Sequence, residues 1–332
     1  MIWLKRNWFL IGLTAVILAA GVFPEGGLRL RASGLALPLL TATSLFISSL
    51  SLETAGLREG ADVRGVLLGL SSIYVVAPLL GCGLARLLGP ADGGPGTEGY
   101  FFFEAMMIVA AQAGTIASAP ALTLLAGGNQ ALALLITVSS NLLTSFVTPL
   151  VLRITIGTVV SFPIVHMMME DSMVVLLPVV LGQLFHPLLR RWPRSARSAL
   201  MKASQGIILV FVYTGVSSAA SHLSGRPILI LDFVATAALL HIALLTWNFV
   251  AARWLALSPA NRTAVVICGS QKTLPNGIYL WGTFFPSNPH GALALVCYHV
   301  FQLVFDSLLL PWLKVAPAPL AAEPSDEVVD GA

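Results

Sequence analysis

Charge is what this sequence has least of. Only 10% of its 332 residues are Asp, Glu, Lys or Arg, against roughly 25% in an average soluble domain. That excludes an ordinary soluble enzyme and a disordered chain. The surplus of 18 Lys+Arg over 15 Asp+Glu is +3, too small for a nucleic-acid or other polyanion partner. Three cysteines, Cys82, Cys268 and Cys297, supply neither a disulfide framework nor metal-ligand spacing. There is no HExxH, no GxSxG, no Walker A and no membrane-protease pair of aspartates. Nothing therefore points to an enzyme, to direct ATP drive or to a cofactor. A channel would need a continuous polar face or a selectivity-filter repeat, and neither is visible. What is abundant is apolar: 57% of the residues are hydrophobic and the mean hydropathy is +0.87. A polytopic membrane protein is the class that remains.

An apolar helix needs about 20 residues to cross the hydrocarbon core. Ten stretches meet this: 8–24, 34–52, 65–88, 101–126, 130–152, 166–189, 205–223, 228–250, 262–286 and 291–313. The count falls to nine if 101–126 and 130–152 are mis-split, but Gly127-Gly128-Asn129 is a turn signal between them. The first stretch follows Lys5 and Arg6 without a small-residue cleavage site, so it reads as a span. With ten spans and a cytoplasmic N-terminus, the inner segments hold Lys5, Arg6, Arg58, Arg64, Arg190, Arg191, Arg194, Arg197, Lys202, Arg253, Arg262 and Lys314. The outer ones hold Arg29, Arg31, Arg86, Arg153 and Arg226. The positive-inside rule then puts both termini in the cytoplasm. Short loops and composition suggest a bacterial inner membrane, with lipids as the surrounding partner. The Pro-, Ala- and acid-rich stretch 316–332 reads as a disordered cytoplasmic tail. Oligomeric state is not legible.

Two segments match. Gly114-Thr-Ile-Ala-Ser-Ala-Pro120 and Gly269-Ser-Gln-Lys-Thr-Leu-Pro275 each open on Gly, carry hydroxyls one and four residues later, and close on Pro. They fall five spans apart. Five is odd, so a repeat of that length is inverted relative to the first, an organisation common in secondary transporters. The expected architecture is all-α, with ten transmembrane helices in two inverted five-helix repeats, 1–152 and 153–315. Helices four and nine would be broken and crossing, with Gly114, Pro120, Gly269 and Pro275 marking the breaks. An interior Pro removes a helix hydrogen bond at a cost of about 3 kcal/mol, and a broken helix is tolerated at membrane depth only against protein or a watery cavity. The plain alternative is an ordinary kink at each Pro.

Lys272 stands out among the polar residues. An ammonium near the bilayer centre costs roughly 3 kcal/mol even on insertion scales. Lys272 therefore wants a cavity with a partner or a substrate anion; Asp306 is a candidate partner. Around the first break lie Thr115, Ser118, Asn129, Thr137 and Asn141. Around the second lie Ser270, Gln271 and Thr273, with His299 and Gln302 on the last span. Hydroxyls and amides suit a dehydrated cation or a carboxylate, and equally serve as glue between helices. Glu104, Glu170, Asp171 and Asp232 lie near span starts, which reads as interfacial exposure.

The run Gly114 to Pro149 resembles the fourth and fifth helices of the bile acid:sodium symporter superfamily. Cys268 to Gly277, CGSQKTLPNG, with Tyr298-His299, Gln302 and the Leu177 to Gln183 run, resembles its SBF-like branch, that of the vertebrate solute carrier family 10 member 7 and bacterial relatives. The resemblance implies a panel domain of helices 1, 2, 6 and 7 and a core of helices 3–5 and 8–10. It further implies sodium ions at the crossing and an organic anion in the cleft between domains. Thr137 and Gln271 stand at sodium-ligand positions of that pattern. Ala119-Pro120 replaces its Ser-Asn pair, Ala133 its Ser, and Ile267 its Glu. A fixed ammonium at Lys272 repels a neighbouring cation, so at least one sodium site is expected to be lost. Lys272 would then replace the ion or handle protons. The function expected is secondary active transport of a small organic anion by alternating access, with sodium or protons as coupling ion. The alternative is a non-transporting membrane sensor or regulator of ion homeostasis on the same scaffold.

Overall fold

The computed structural model describes residues 8–52, 62–157, 163–189, 192–223 and 227–315. The expected tail, 316–332, lies outside them. Every regular element among the described residues is helical. In chain order these are α1 (Trp8–Val22), α2 (Glu25–Ala32), α3 (Ala36–Leu50), α4 (Val63–Leu88), α5 (Glu98–Ala110), α6 (Ser118–Leu125) and α7 (Gln130–Thr155). Then follow α8 (Ile164–Leu189), α9 (Arg194–Leu223), α10 (Pro227–Trp254), α11 (Pro259–Ser270), α12 (Leu274–Phe284) and α13 (Gly291–Leu313).

The starts are written locally. Asp62 accepts the Arg64 amide at 3.0 Å to begin α4, and Asn129 accepts the Leu132 amide at 3.1 Å to begin α7. Each is a side-chain cap on an otherwise orphaned donor. Gly127, in the left-handed region at φ 71°, makes the turn between α6 and α7. Two helices contain one π-helical turn, Ser72–Val76 in α4 and Ser172–Leu176 in α8. Each is followed two residues later by Pro78 or Pro178.

The span count corrects the sequence reading. Among the described residues six helices are long and apolar enough to cross a membrane: α4, α7, α8, α10, α13 and 195–220 within α9. A seventh appears if α1 and α2, bent by 91° at Phe23-Pro24, count as one. The fold is all-α and membrane-spanning with about six such helices, not ten in two inverted five-helix repeats. The physical reason is continuity. Hydropathy sums apolar residues across interruptions, whereas a crossing needs unbroken length. The stretch 101–126 divides into α5 and α6, and 262–286 into α11 and α12. The stretch 34–52 supplies only the 15-residue α3, about 22 Å at 1.5 Å per residue.

Packing places the two interruptions together. The α11 helix lies against α10, α4, α7 and α6, and α13 against α10, α5, α9 and α12. On the other flank α3 packs along the second half of α8, and α9 along α1 and α2. The main apolar core runs from Phe102 and Met106 in α5 through Phe233 and Leu240 in α10 to Tyr279 and Trp281 in α12.

Candidate functional site

Between α5 and α6 the chain leaves the helix over residues 111–117, and between α11 and α12 over 271–273. These two extended pieces touch: the Thr273 amide donates to the Ala113 carbonyl at 2.9 Å. A Cβ on Gly114 would sit 3.2 Å from the Cys268 carbonyl, and one on Gly269 would sit 2.8 Å from the Asn248 side chain. Both glycines thus permit close approach. Pro120 and Pro275 stand in the first turns of α6 and α12, where a missing N–H is harmless. They start half-helices rather than interrupt whole ones.

Lys272 lies in the second extended piece and is buried. Its Nζ donates to the carbonyls of Ile73 at 2.7 Å, Ala110 at 2.9 Å and Gln112 at 2.9 Å. All three ammonium donors are used, and one acceptor is the last residue of α5, at the negative end of that helix. Gln302 clamps the same residue's backbone, accepting the Lys272 amide at 2.8 Å and donating to its carbonyl at 2.9 Å. His299 Nδ1 lies 3.0 Å from Gln302 Nε2.

Asp306 is not the partner of Lys272. Its Oδ1 lies 2.8 Å from His241 Nε2, and its Oδ2 accepts Gln271 Nε2 at 2.6 Å. Buried charges need such partners, and His241, at the middle of α10, answers this one. Gln271 Oε1 in turn accepts the hydroxyls of Thr115 and, at 2.8 Å, Ser118. Tyr298 donates to the Ser270 carbonyl at 2.7 Å and stands 3.3 Å from His241 Nδ1. A hydrogen-bonded line therefore runs from His241 to Thr115 and Ser118.

Those two hydroxyls open onto a cavity of about 380 Å³ between α3 and α9 on one side and α6, α12 and α13 on the other. Ser44, Ser48, Ser204, Gln205, Thr273, His299 and Ser307 complete its polar lining, and no described lining residue is acidic. The N-terminal turns of α6 and α12 form part of the wall. Helix N-termini carry partial positive charge and unsatisfied N–H groups, so the wall is biased towards anions.

The remaining sequence candidates have other positions. Asn129 is the α7 cap, and its Nδ2 donates to Asn261 at 2.8 Å. Thr137 donates back to Ala133 and Leu134 within its own helix. Asn141 Nδ2 holds the Gly114 and Thr137 carbonyls, each at 2.8 Å. Ser270 donates to Val266 and Ile267. Glu104 and Asp171, read as interfacial, are buried at 6% and 0% exposure. His241 was missed, although a lone ionisable residue inside an apolar stretch was signal enough. The serines of α3 and α9 had no such signal. Among the described residues no group of His, Cys, Asp or Glu could hold a metal ion.

The SBF-like CPA transporter family model matches residues 7–314. Similar proteins include the putative symporter YfeH of Escherichia coli (strain K12), 29% identical over 322 residues covering 95% of both chains. Sodium/bile acid cotransporter 7 of Mus musculus is 26% identical over 322 residues, 93% of both chains. The probable chloroplastic sodium/metabolite cotransporter BASS4 of Arabidopsis thaliana is 32% identical over 294 residues, 82% of this chain and 65% of the relative.

Proposed function

The chain belongs to the SBF-like CPA transporter family, a membrane transporter family within the bile acid:sodium symporter superfamily, and from that premise we propose secondary active transport of a small organic anion. The observation that carries the anion is the cavity between α3/α9 and α6/α12/α13. It offers hydroxyls, one imidazole and two helix N-termini, and no described acidic group. Its apolar stretches, Leu45, Ile116, Leu122 and Ile208, suit the carbon skeleton of such a substrate.

Alternating access is the mechanism we infer. The cavity lies beside two interrupted segments whose backbones are held by exchangeable hydrogen bonds rather than by continuous helix. At the crossing the Lys272 ammonium occupies a cage of three carbonyls. That is the coordination a bound cation would need, so we read Lys272 as a tethered replacement for an ion there. The similarity to an Escherichia coli protein supports residence in a bacterial inner membrane.

The test needs no known substrate. Ser204→Cys, in a background with Cys82, Cys268 and Cys297 replaced by Ser or Ala, reports cavity exposure to a membrane-impermeant maleimide. Transport by alternating access gives labelling from both faces of oriented membrane vesicles, and labelled taurocholate serves as the first uptake probe. Labelling from one face alone under every condition would overturn the reading in favour of a static sensor.

A further inference from the structure

Asp171 ends the first helical stretch of α8, seven residues beyond Ile164, about 10 Å into the helix at 1.5 Å per residue. Its side chain is fully buried, and both carboxylate oxygens lack a hydrogen-bond partner. No described Lys, Arg or His forms an ion pair with it. Its backbone carbonyl accepts Ser145 Oγ at 3.2 Å, which fixes α8 against α7 at this level. Tyr279 of α12 and Tyr74 of α4 lie within electrostatic reach of the carboxylate. One turn before Tyr279, Asn276 is also fully buried with both side-chain polar atoms unpartnered. The Tyr279 hydroxyl donates to Glu170 Oε2 at 3.3 Å, and the Glu170 side chain is 43% exposed. Glu170 and Tyr279 thus lead from the surface towards the buried acid.

An ionised carboxylate without a partner, out of water, carries a desolvation penalty larger than a protein's net stability. Asp171 must therefore be neutralised. The nearest elements supply no cation, since Lys272 is already spent on three carbonyls. They supply oxygens instead: the hydroxyls of Ser145 and the two tyrosines, with the unpartnered Asn276 amide one turn along α12 from Tyr279. Hard oxygen donors around one carboxylate suit a small monovalent cation, or a proton shared among them.

We propose that Asp171, with Asn276, is the binding site of the exchangeable coupling cation, sodium or proton, separate from the crossing where Lys272 is fixed. This rests on the transport reading above. It assigns coupling to α8, α7 and α12, and leaves the α5/α6 and α11/α12 crossing to the tethered Lys272 side chain. Loading neutralises the acid, and emptying exposes its charge to a site with no counter-ion. Packing of α8 on α7 then depends on the occupant.

The purified full-length protein is melted in NaCl and in KCl at equal ionic strength, and across a pH series, as wild type, Asp171→Asn, Asn276→Ala and Glu104→Gln. A ligand that binds only the folded state raises apparent stability. A sodium-specific rise that disappears in Asp171→Asn identifies sodium. A rise on acidification that disappears in Asp171→Asn, without any sodium-specific rise, identifies a proton. Asn276→Ala shifts the required concentration several-fold in either case, and covers the outcome in which Asp171→Asn does not fold. Glu104→Gln leaves the response in place. The proposal is overturned if wild type responds to neither cation, or if its response survives both Asp171→Asn and Asn276→Ala. Failure of the transport reading shows separately, as one-sided labelling of Ser204→Cys.

Discussion

Pro78 leaves the Ile73 carbonyl without a helical donor. The Ala77 amide, the ordinary partner of that carbonyl, donates instead to Ser72, one residue further back. The next candidate, residue 78, is a proline and has no N–H. The π-helical turn of α4 is how the helix accommodates that proline. The freed carbonyl is one of the three that hold Lys272, at 2.7 Å. A charge at membrane depth and a defect in a helix 199 residues away in sequence thus satisfy each other.

Replacing Lys272 by Met strands three buried carbonyls. Each unsatisfied group costs about 1–3 kcal/mol, so a loss of about 3 kcal/mol or more is expected in thermal or denaturant unfolding. Because the cage suits a cation, NaCl is expected to restore part of the melting temperature relative to the same concentration of choline chloride. A melting temperature equal to wild type would show that the ammonium does not occupy the cage.

His241 and Asp306 separate charge from hydrogen bonding. Asp306→Asn can still accept from Gln271 and donate to His241, so a loss of about 1 kcal/mol is expected. His241→Ala leaves a buried carboxylate short of its partner at 2.8 Å, at a cost of about 3–5 kcal/mol. Unfolding of the two variants in parallel decides it; equal losses would contradict the pairing.

Ala121 lines the cavity and is exposed, so Ala121→Trp places bulk there without repacking the core. The expected result is a melting temperature close to wild type, with uptake and maleimide labelling of Ser204→Cys reduced about tenfold or more. A tenfold change corresponds to about 1.4 kcal/mol of lost access or binding. Full labelling in the presence of Trp would place the substrate path elsewhere.

Asp62 lies outside the membrane-spanning segments and caps α4. Burial raises its pKa, but hydrogen bonds from Arg64 and Asn261, with the Arg64 charge, outweigh this and hold it below the usual carboxylate value. A depressed folded-state value means that its contribution is complete above the unfolded carboxylate's pKa. It is lost as pH falls through the folded one. Asp62→Ala is expected to cost about 1 kcal/mol near neutral pH, and the deficit should vanish in strong acid. Melting curves across an acid series measure both.

Composition alone determined that this protein lives in a membrane, because so few charges cannot solvate so much apolar surface. The sequence also singled out Lys272 and located both interruptions, since Gly, Pro and an ammonium are costly inside an apolar run. The motifs at Gly114–Pro149 and Cys268–Gly277 carried the family. Tertiary structure decided the rest. Hydropathy could not see that α5 and α6, or α11 and α12, are separate helices, because it adds apolar residues without regard to backbone continuity. Asp171 looked interfacial from its place in the chain, and only the packing of α7 against α8 buries it. Asn129 looked like a ligand and is a cap. Asp306 was a candidate partner for Lys272, yet the partners of its ammonium are backbone carbonyls. Every residue carries one, so no sequence pattern can single out the three that the folded chain brings within reach.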